Sequence, residues 1–146
     1  MLCRAFLPAM IARQHGRILN VSSTPAFQPG PFMAVYYATK AYVLSLSEAL
    51  WEECRGTGVS VTALCPRPVA TGFAARAAMT RTRLFASNLL PKMDVVRVAE
   101  LGVECLLRGK RVVVLGPVNG LVAAASGLVP RALALRVARY LQSPTT

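Results

Sequence analysis

The sequence is poor in acidic residues and histidine, and its cysteines are not paired along the chain. Its 146 residues include 6 Asp and Glu against 17 Lys and Arg, together with one histidine and 4 cysteines. The lone histidine has no second one to help hold a metal, and no Cys-x-x-Cys pair occurs, so neither a zinc site nor a disulfide framework is expected. We therefore predict reduced thiols, no metal and a cytoplasmic location.

Long runs of like charge are also missing, although the formal net charge is +11. The scattered arginines come without a zinc-finger or RNA-binding signature, so no nucleic-acid partner is predicted. The N-terminal residues lack the apolar core and cleavage site of a secretory signal. Residues 112–130 are uncharged, but Gly116, Pro117, Asn119 and Gly120 interrupt them. A buried strand followed by a helix is therefore a better interpretation than a membrane span.

What the sequence does contain is an alternation of short apolar runs and helical patterns. Strands are predicted at 17–22, Val59–Cys65 and 111–116, and helices at Leu2–Ala12, 33–55 and 95–108, with two C-terminal helical segments split near Pro130. Asp94 is predicted as an N-cap. The three prolines of residues 24–31 indicate an irregular loop, and residues 74–93 are ambiguous between a short helix and a connection. Strands separated by helices predict an α/β fold with a parallel sheet.

Polar residues follow the first two predicted strands. Ser22 and Ser23 end the first, and "PRPVAT" follows the second. In parallel sheets ligands bind at the carboxyl ends of the strands, which makes this edge the place to look for a site.

Tyr36 and Lys40 are four residues apart on a predicted helix and therefore share a face. A cation beside a phenol favours the phenolate, so the tyrosine can exchange a proton with a substrate oxygen near neutral pH. A strand-end serine can hydrogen-bond the same oxygen. Taken alone, the pair also occurs by chance on helix surfaces, and a strand-end serine is usually a turn residue. Tyr37 and Tyr42 are interpreted as packing residues.

Three motifs in this order, "GRILNVSS", "YYATK" and "VTALCPRPVATGF", resemble the short-chain dehydrogenase/reductase family. The resemblance implies that Ser23 holds the substrate carbonyl and that Tyr36 donates or accepts the proton. It implies that Lys40 grips the nicotinamide ribose and assists the tyrosine. Val69 and Thr71 match loop positions that contact the nicotinamide and diphosphate side of the cofactor. Tyr36 and Lys40 thus count as both catalytic and cofactor-binding residues.

The family resemblance also implies a fold, a reaction and partners. The fold is a Rossmann-like three-layer α/β/α domain with a parallel sheet. The reaction is NAD(P)-dependent carbonyl/alcohol interconversion by hydride transfer, with NADP slightly preferred over NAD. Substrates would be small ketones, alcohols or acyl compounds, and homo-oligomers are expected of full-length members.

Two departures from the family pattern stand out. Arg67 replaces a glycine that tolerates backbone angles closed to other residues, so a displaced cofactor loop is expected. No glycine-rich strand-to-helix turn of the pyrophosphate-binding kind is present. We therefore expect an incomplete fold, the C-terminal half only: one domain over 1–146 with a helical tail at 117–146, whose first strand has an open edge. Such a chain alone should bind NAD(P) weakly and turn over slowly or not at all.

Two alternatives concern binding in place of catalysis. The chain could be a non-catalytic interaction module that pairs through its open strand edge. Its C-terminal helix, "PRALALRVARYLQ", could also lie on an anionic membrane, because basic and apolar residues alternate there and no acidic residue follows Glu104. Packing of this helix on the domain or on a second copy is the interpretation favoured by the sequence.

Overall fold

The computed structural model describes residues 2–69, 71–72, 83 and 93–143. In chain order its elements are α1 (Leu2–Ala12), β1 (Gly16–Val21), a 3-10 helix (Thr24–Phe27), α2 (Ala34–Glu53), β2 (Val59–Cys65), α3 (Val95–Leu107), β3 (Val112–Val114), α4 (Pro117–Ala125) and α5 (Arg131–Gln142). The helices and strands predicted from the sequence are present, and their bounds differ from the predicted ones by at most two residues.

The strands of the described residues form one parallel sheet in the order β1-β2-β3. Gly16 lies opposite Val59 at the start of the first pair, and Ala63 lies opposite Val112 at the start of the second. Each connection passes through a helix, as parallel pairing requires. Within these ranges β1 has a hydrogen-bonded neighbour on one side only. The predicted parallel α/β sheet is therefore confirmed.

One face of the sheet is covered by α1 and α2. Alternate residues of β2 point to this face and bury their side chains, because successive strand residues point in opposite directions. They form two clusters with α2, in which the buried members are Leu44, Ala63 and Cys65 in one and Cys54, Val59 and Val61 in the other. Leu7 and Met10 of α1 pack against the second cluster.

The opposite face of the sheet is covered by α3. A Cβ at Gly102 would lie 2.9 Å from Cδ2 of Leu64 and 3.5 Å from Cδ2 of Leu19, so the glycine lets the helix backbone approach the strands closely. The Asp94 side chain accepts a hydrogen bond from the Arg97 backbone N–H at 3.0 Å, which confirms the predicted N-cap. Helices on both faces give the predicted three-layer α/β/α arrangement.

Two predictions from the sequence need correction. Residues 24–31 are not wholly irregular, because Thr24–Phe27 form a 3-10 helix with Pro25 in its first turn. Proline suits that position, since its fixed φ matches a helix and its missing N–H has no partner to lose there. Tyr37 is buried as predicted, with 5% of its surface exposed, but Tyr42 is 54% exposed and is not a packing residue. The ambiguous segment 74–93 lies outside the described residues except for Arg83 and Met93.

Residues 112–130 form β3 and α4 and not one continuous helix. Within the described part of the chain, we find no helix with both the length and the apolar character needed to cross a bilayer. The strand-then-helix interpretation of this segment is confirmed.

Candidate active site

The sheet brings the ends of β1 and β2 together at its carboxyl edge. The Ser23 hydroxyl donates to the Pro66 carbonyl at 3.2 Å, and the Thr24 backbone N–H donates to the same oxygen at 3.1 Å. Ser23 is buried. The serine motif and the start of the "PRPVAT" loop are therefore in contact, as parallel strands require. The Pro66 carbonyl had no sequence signal, because it is a backbone group.

Ser22 has a different role from its neighbour. Its hydroxyl donates to the Lys40 carbonyl of α2 at 2.7 Å, and its backbone N–H donates to the Leu64 carbonyl at 2.8 Å. Both bonds connect the end of β1 to the elements on either side of it. Ser22 therefore anchors α2 to the sheet, while Ser23 lies toward the loop after β2.

A second polar contact fixes α2 along β1. The Asn20 side chain donates to the Ser47 hydroxyl at 3.0 Å, and that hydroxyl donates to the Val43 carbonyl at 2.6 Å. Ser47 is fully buried, so these bonds form away from water, where an unmade bond would be costly. Together with Ser22, they set the position from which α2 presents Tyr36 and Lys40.

Tyr36 and Lys40 lie on one face of α2 at the end of β1. The Lys40 Nζ is 5.8 Å from the centre of the Tyr36 ring and donates to the Val21 carbonyl at 3.1 Å. Partial burial lowers the pKa of Lys40 below its usual value, because the charged form loses hydration. A cation is thus held beside the phenol at the carboxyl edge of the sheet.

Tyr37 points into the protein, and its contacts serve packing. Its hydroxyl accepts a hydrogen bond from Nε2 of the buried Gln142, and its ring packs on Gly30. Burial raises the pKa of Tyr37, so its phenol stays protonated at neutral pH. Gln142 was not singled out from the sequence, since 105 residues separate the two partners.

The predicted cofactor loop is described in part. Val69 forms a parallel bridge with Met93, and the Thr71 backbone N–H donates to the Val69 carbonyl at 2.8 Å. The Thr71 residue is exposed. These contacts place Val69 after the end of β2, and the cofactor roles of Val69 and Thr71 stay predictions.

Arg67 occupies its position without a glycine-like backbone. The non-glycine residues described with positive φ are Gln14 and Phe32, so Arg67 needs no left-handed conformation. Its guanidinium reaches toward the end of β3, where a Cβ on Gly116 would lie 3.9 Å from one terminal nitrogen. The Arg67 Nε is buried, and no described residue accepts a hydrogen bond from it.

Cys65 ends β2 beneath this edge and is fully buried. Burial raises the pKa of its thiol from 9.0 to about 11. The unfolded chain therefore loses this proton first, so the resulting stabilisation is complete below pH 9 and is lost as the pH rises through about 11. This difference in pKa between the folded and the unfolded chain corresponds to about 2–3 kcal/mol of stability.

A Cys65→Ala variant, which has no thiol to ionise, tests this pH dependence. Between about pH 8.5 and pH 11.5, the free energy of unfolding of the parent chain should fall by about 2–3 kcal/mol more than that of the variant. Urea titrations followed by circular dichroism measure both. If the free energy of unfolding fell equally with pH in both proteins, ionisation of Cys65 would not be the cause.

Among the described residues, no group of three or more His, Cys, Asp or Glu side chains is placed to hold a metal ion. The described side chains at this edge that the sequence singled out offer a hydroxyl, a phenol and an ammonium.

A sequence model of the family described as short chain dehydrogenase matches residues 1–82, more than half of the chain. The chain belongs to the short-chain dehydrogenase family. The matched region contains β1, α2 and β2, and with them Ser23, Tyr36 and Lys40.

Individual short-chain dehydrogenases resemble this one over most of its length. The bovine very-long-chain 3-oxoacyl-CoA reductase is 32% identical over 139 residues, which cover 95% of this chain and 41% of the bovine protein. A short-chain dehydrogenase from Sphingobium yanoikuyae, solved with NADPH, is 29% identical with a TM-score of 0.68 and matches 87% of this chain and 50% of its own. One from Burkholderia cenocepacia, solved with NADP, is 26% identical with a TM-score of 0.69 and matches 96% and 53%. The chain thus spans about half the length of these relatives or less.

Proposed function

We propose that this chain carries the catalytic residues of an NAD(P)-dependent oxidoreductase that interconverts a carbonyl and an alcohol. The observation that supports this most is the placement of Lys40 Nζ 5.8 Å from the Tyr36 ring, beside the buried Ser23 end of β1. Proton transfer to a carbonyl oxygen needs an acid and a group that orients the oxygen, and this edge supplies both.

Each of the three side chains has one task in this proposal. The Tyr36 hydroxyl gives a proton to the carbonyl oxygen in reduction and takes it back in oxidation. The Ser23 hydroxyl has one proton, which it donates to the Pro66 carbonyl in the structure, and on substrate binding it would turn to donate this proton to the same oxygen and hold it near the phenol. The Lys40 ammonium favours the phenolate that remains after proton transfer.

The residues at this edge fit the nicotinamide end of NAD(P). An ammonium with three N–H donors, one of them directed at Val21, suits ribose hydroxyls, so Lys40 would hold the ribose. The Arg67 Nε is buried, and no described residue accepts a hydrogen bond from it, so this N–H group suits an anionic phosphate. Val69 and Thr71 would complete the contact from the loop after β2. When bound, the nicotinamide supplies the hydride.

The substrate class proposed is a ketone or an acyl compound with a β-carbonyl, or the matching alcohol. The 3-oxoacyl-CoA reductase named above supports an acyl carbonyl, and the solved relatives with NADPH and NADP support NADP as the cofactor.

Saturation-transfer NMR of the chain with NADP tests the cofactor part of this proposal, because it detects weak binding. Protons of the nicotinamide and its ribose should receive more saturation than those of the adenine. Lys40→Met should weaken the signal about 10-fold through the lost charged hydrogen bond. Lys110→Met removes the same charge from an exposed turn and serves as the matched control.

An equal loss of saturation-transfer signal in the Lys40 and Lys110 variants would contradict a specific ribose contact. Binding would then reflect only the attraction between a basic protein and an anion. Stronger saturation of the adenine than of the nicotinamide would contradict the proposed orientation.

A further inference from the structure

Three large apolar residues of α5 are more than half exposed. Leu133 is 52% exposed, Val137 51% and Tyr140 62%, and their spacing of four and three residues places them in one stripe. The helix packs inward through Ala138 and Gln142, which are almost fully buried. A helix that only covers its own domain buries its large apolar side chains. In α5, Leu133 and Val137 line an open cavity together with Tyr37 of α2 but stay half exposed, so packing on the domain accounts for the stripe only in part.

Phe32 adds an aromatic ring beside this helix. It is 67% exposed and has a φ of 66°, a left-handed backbone conformation that is unfavourable for a bulky residue. Pro31 and Phe32 line a shallow cavity of about 360 Å³ together with Leu135, Arg136 and Arg139 of α5. The loop before α2 thus holds an exposed ring against the basic residues of the helix.

The charges around the stripe are all of one sign. Arg136 and Arg139 lie on the outward side of α5, and the ion pairs of the described residues do not include them. The Arg83 guanidinium lies 4.4 Å from the centre of the Tyr140 ring. No acidic residue follows Glu104 in the sequence. The surface therefore presents cations and apolar groups side by side, and no ion pair among the described residues neutralises Arg136 or Arg139.

We propose that this surface, the α5 face (Phe32, Leu133, Arg136, Arg139 and Tyr140), docks on an anionic lipid bilayer. A bilayer surface offers an apolar layer directly beneath an anionic one, which matches apolar side chains flanked by arginines. Tyr140 suits the boundary between the two, because its ring is apolar and its hydroxyl polar. The proposal does not depend on the catalytic function proposed above.

Co-sedimentation of the chain with lipid vesicles tests the proposal. Vesicles of phosphatidylcholine containing phosphatidylglycerol should bind the chain at least about 10-fold more tightly than phosphatidylcholine alone. High salt should weaken the binding, since it screens the arginines from the lipid phosphates.

A pair of double variants separates the α5 face from net charge. Arg136→Gln with Arg139→Gln should weaken binding to the anionic vesicles about 10-fold or more. Arg4→Gln with Arg17→Gln removes the same charge from exposed positions on α1 and β1 and should change binding less than about three-fold.

A Phe32→Gly variant separates binding from folding. Glycine accepts the positive φ at this position, so the variant should be as stable as the parent in urea titrations. Loss of the ring should nevertheless weaken vesicle binding about five-fold. A destabilised variant with unchanged vesicle binding would show that Phe32 acts in the fold and not at the bilayer.

Three results would overturn the proposal. The first is equal binding to both kinds of vesicle, and the second is equal loss in the two double variants. The third is a lipid-free dimer, measured by light scattering, that Leu133→Glu dissociates while vesicle binding is absent; it would assign the α5 face to a second copy of the chain.

Discussion

Replacing Tyr36 with phenylalanine should lower the rate of carbonyl reduction by about 10³-fold, because the ring stays while its proton is lost. This corresponds to about 4 kcal/mol of transition-state stabilisation. The substrate KM should change little, since Ser23 still binds the carbonyl oxygen. The rate is followed as NADPH consumption with excess cofactor, in a preparation whose wild-type form turns over, either the chain alone or a longer polypeptide that contains it.

The neighbouring tyrosine provides a control that differs by one position. Tyr37→Phe also removes one hydroxyl, but this one accepts a hydrogen bond from the buried Gln142. Leaving that amide without its partner should lower the free energy of unfolding by about 1–3 kcal/mol. Its effect on the rate should be small, because Tyr37 faces inward.

The two variants should therefore show opposite profiles: Tyr36→Phe inactive and stable, Tyr37→Phe active and less stable. A Tyr36→Phe protein that keeps more than about half of the wild-type rate would rule out the phenol as the proton donor. A Tyr37→Phe protein that loses the rate without losing stability would show that Tyr37, and not Tyr36, is the proton donor.

The parts of the site that depend on local spacing could be predicted from the sequence. A four-residue interval on a helix fixes Tyr36 and Lys40 on one face whatever surrounds them. Parallel strands fix Ser23 and Pro66 at the same edge, since both follow a strand end. The Asp94 cap was also predictable, because the bond from its side chain to the Arg97 N–H spans only three residues.

Features that depend on distant contacts could not be predicted in this way. The Tyr37–Gln142 hydrogen bond joins residues whose neighbours in sequence give no hint of each other. The exposure of α5 is of the same kind, because the sequence pattern shows a stripe of Leu133, Val137 and Tyr140 but not how much of it the domain covers. Tyr42 was interpreted as a packing residue because it does not stand four residues before Lys40, but its exposure depends on which face of α2 meets the sheet.

The second large effect is expected at Gly58, in the turn between α2 and β2. Its φ is +76°, a conformation that costs other L-residues about 1–2 kcal/mol. A Cβ there would also lie 2.0 Å from the Gln14 carbonyl oxygen and 2.7 Å from its carbon. Both atoms are backbone, so they cannot move aside as a side chain would. Gln14 lies two residues before the start of β1, where Gly16 pairs with Val59. Gly58→Ala should therefore disturb the β1–β2 pairing and lower the free energy of unfolding by about 3 kcal/mol or more.

Gly56 isolates the contact from the backbone conformation. Its φ of +77° is nearly the same, but a Cβ there would meet nothing within 4 Å. Gly56→Ala should thus lower the free energy of unfolding by only about 1 kcal/mol. Urea titrations of both variants measure the difference, which is the energetic effect of bringing a methyl group against Gln14. Equal losses of unfolding free energy in the two variants would mean that the turn after α2 does not lie against the turn before β1. The register at the start of the β1–β2 pair would then be wrong.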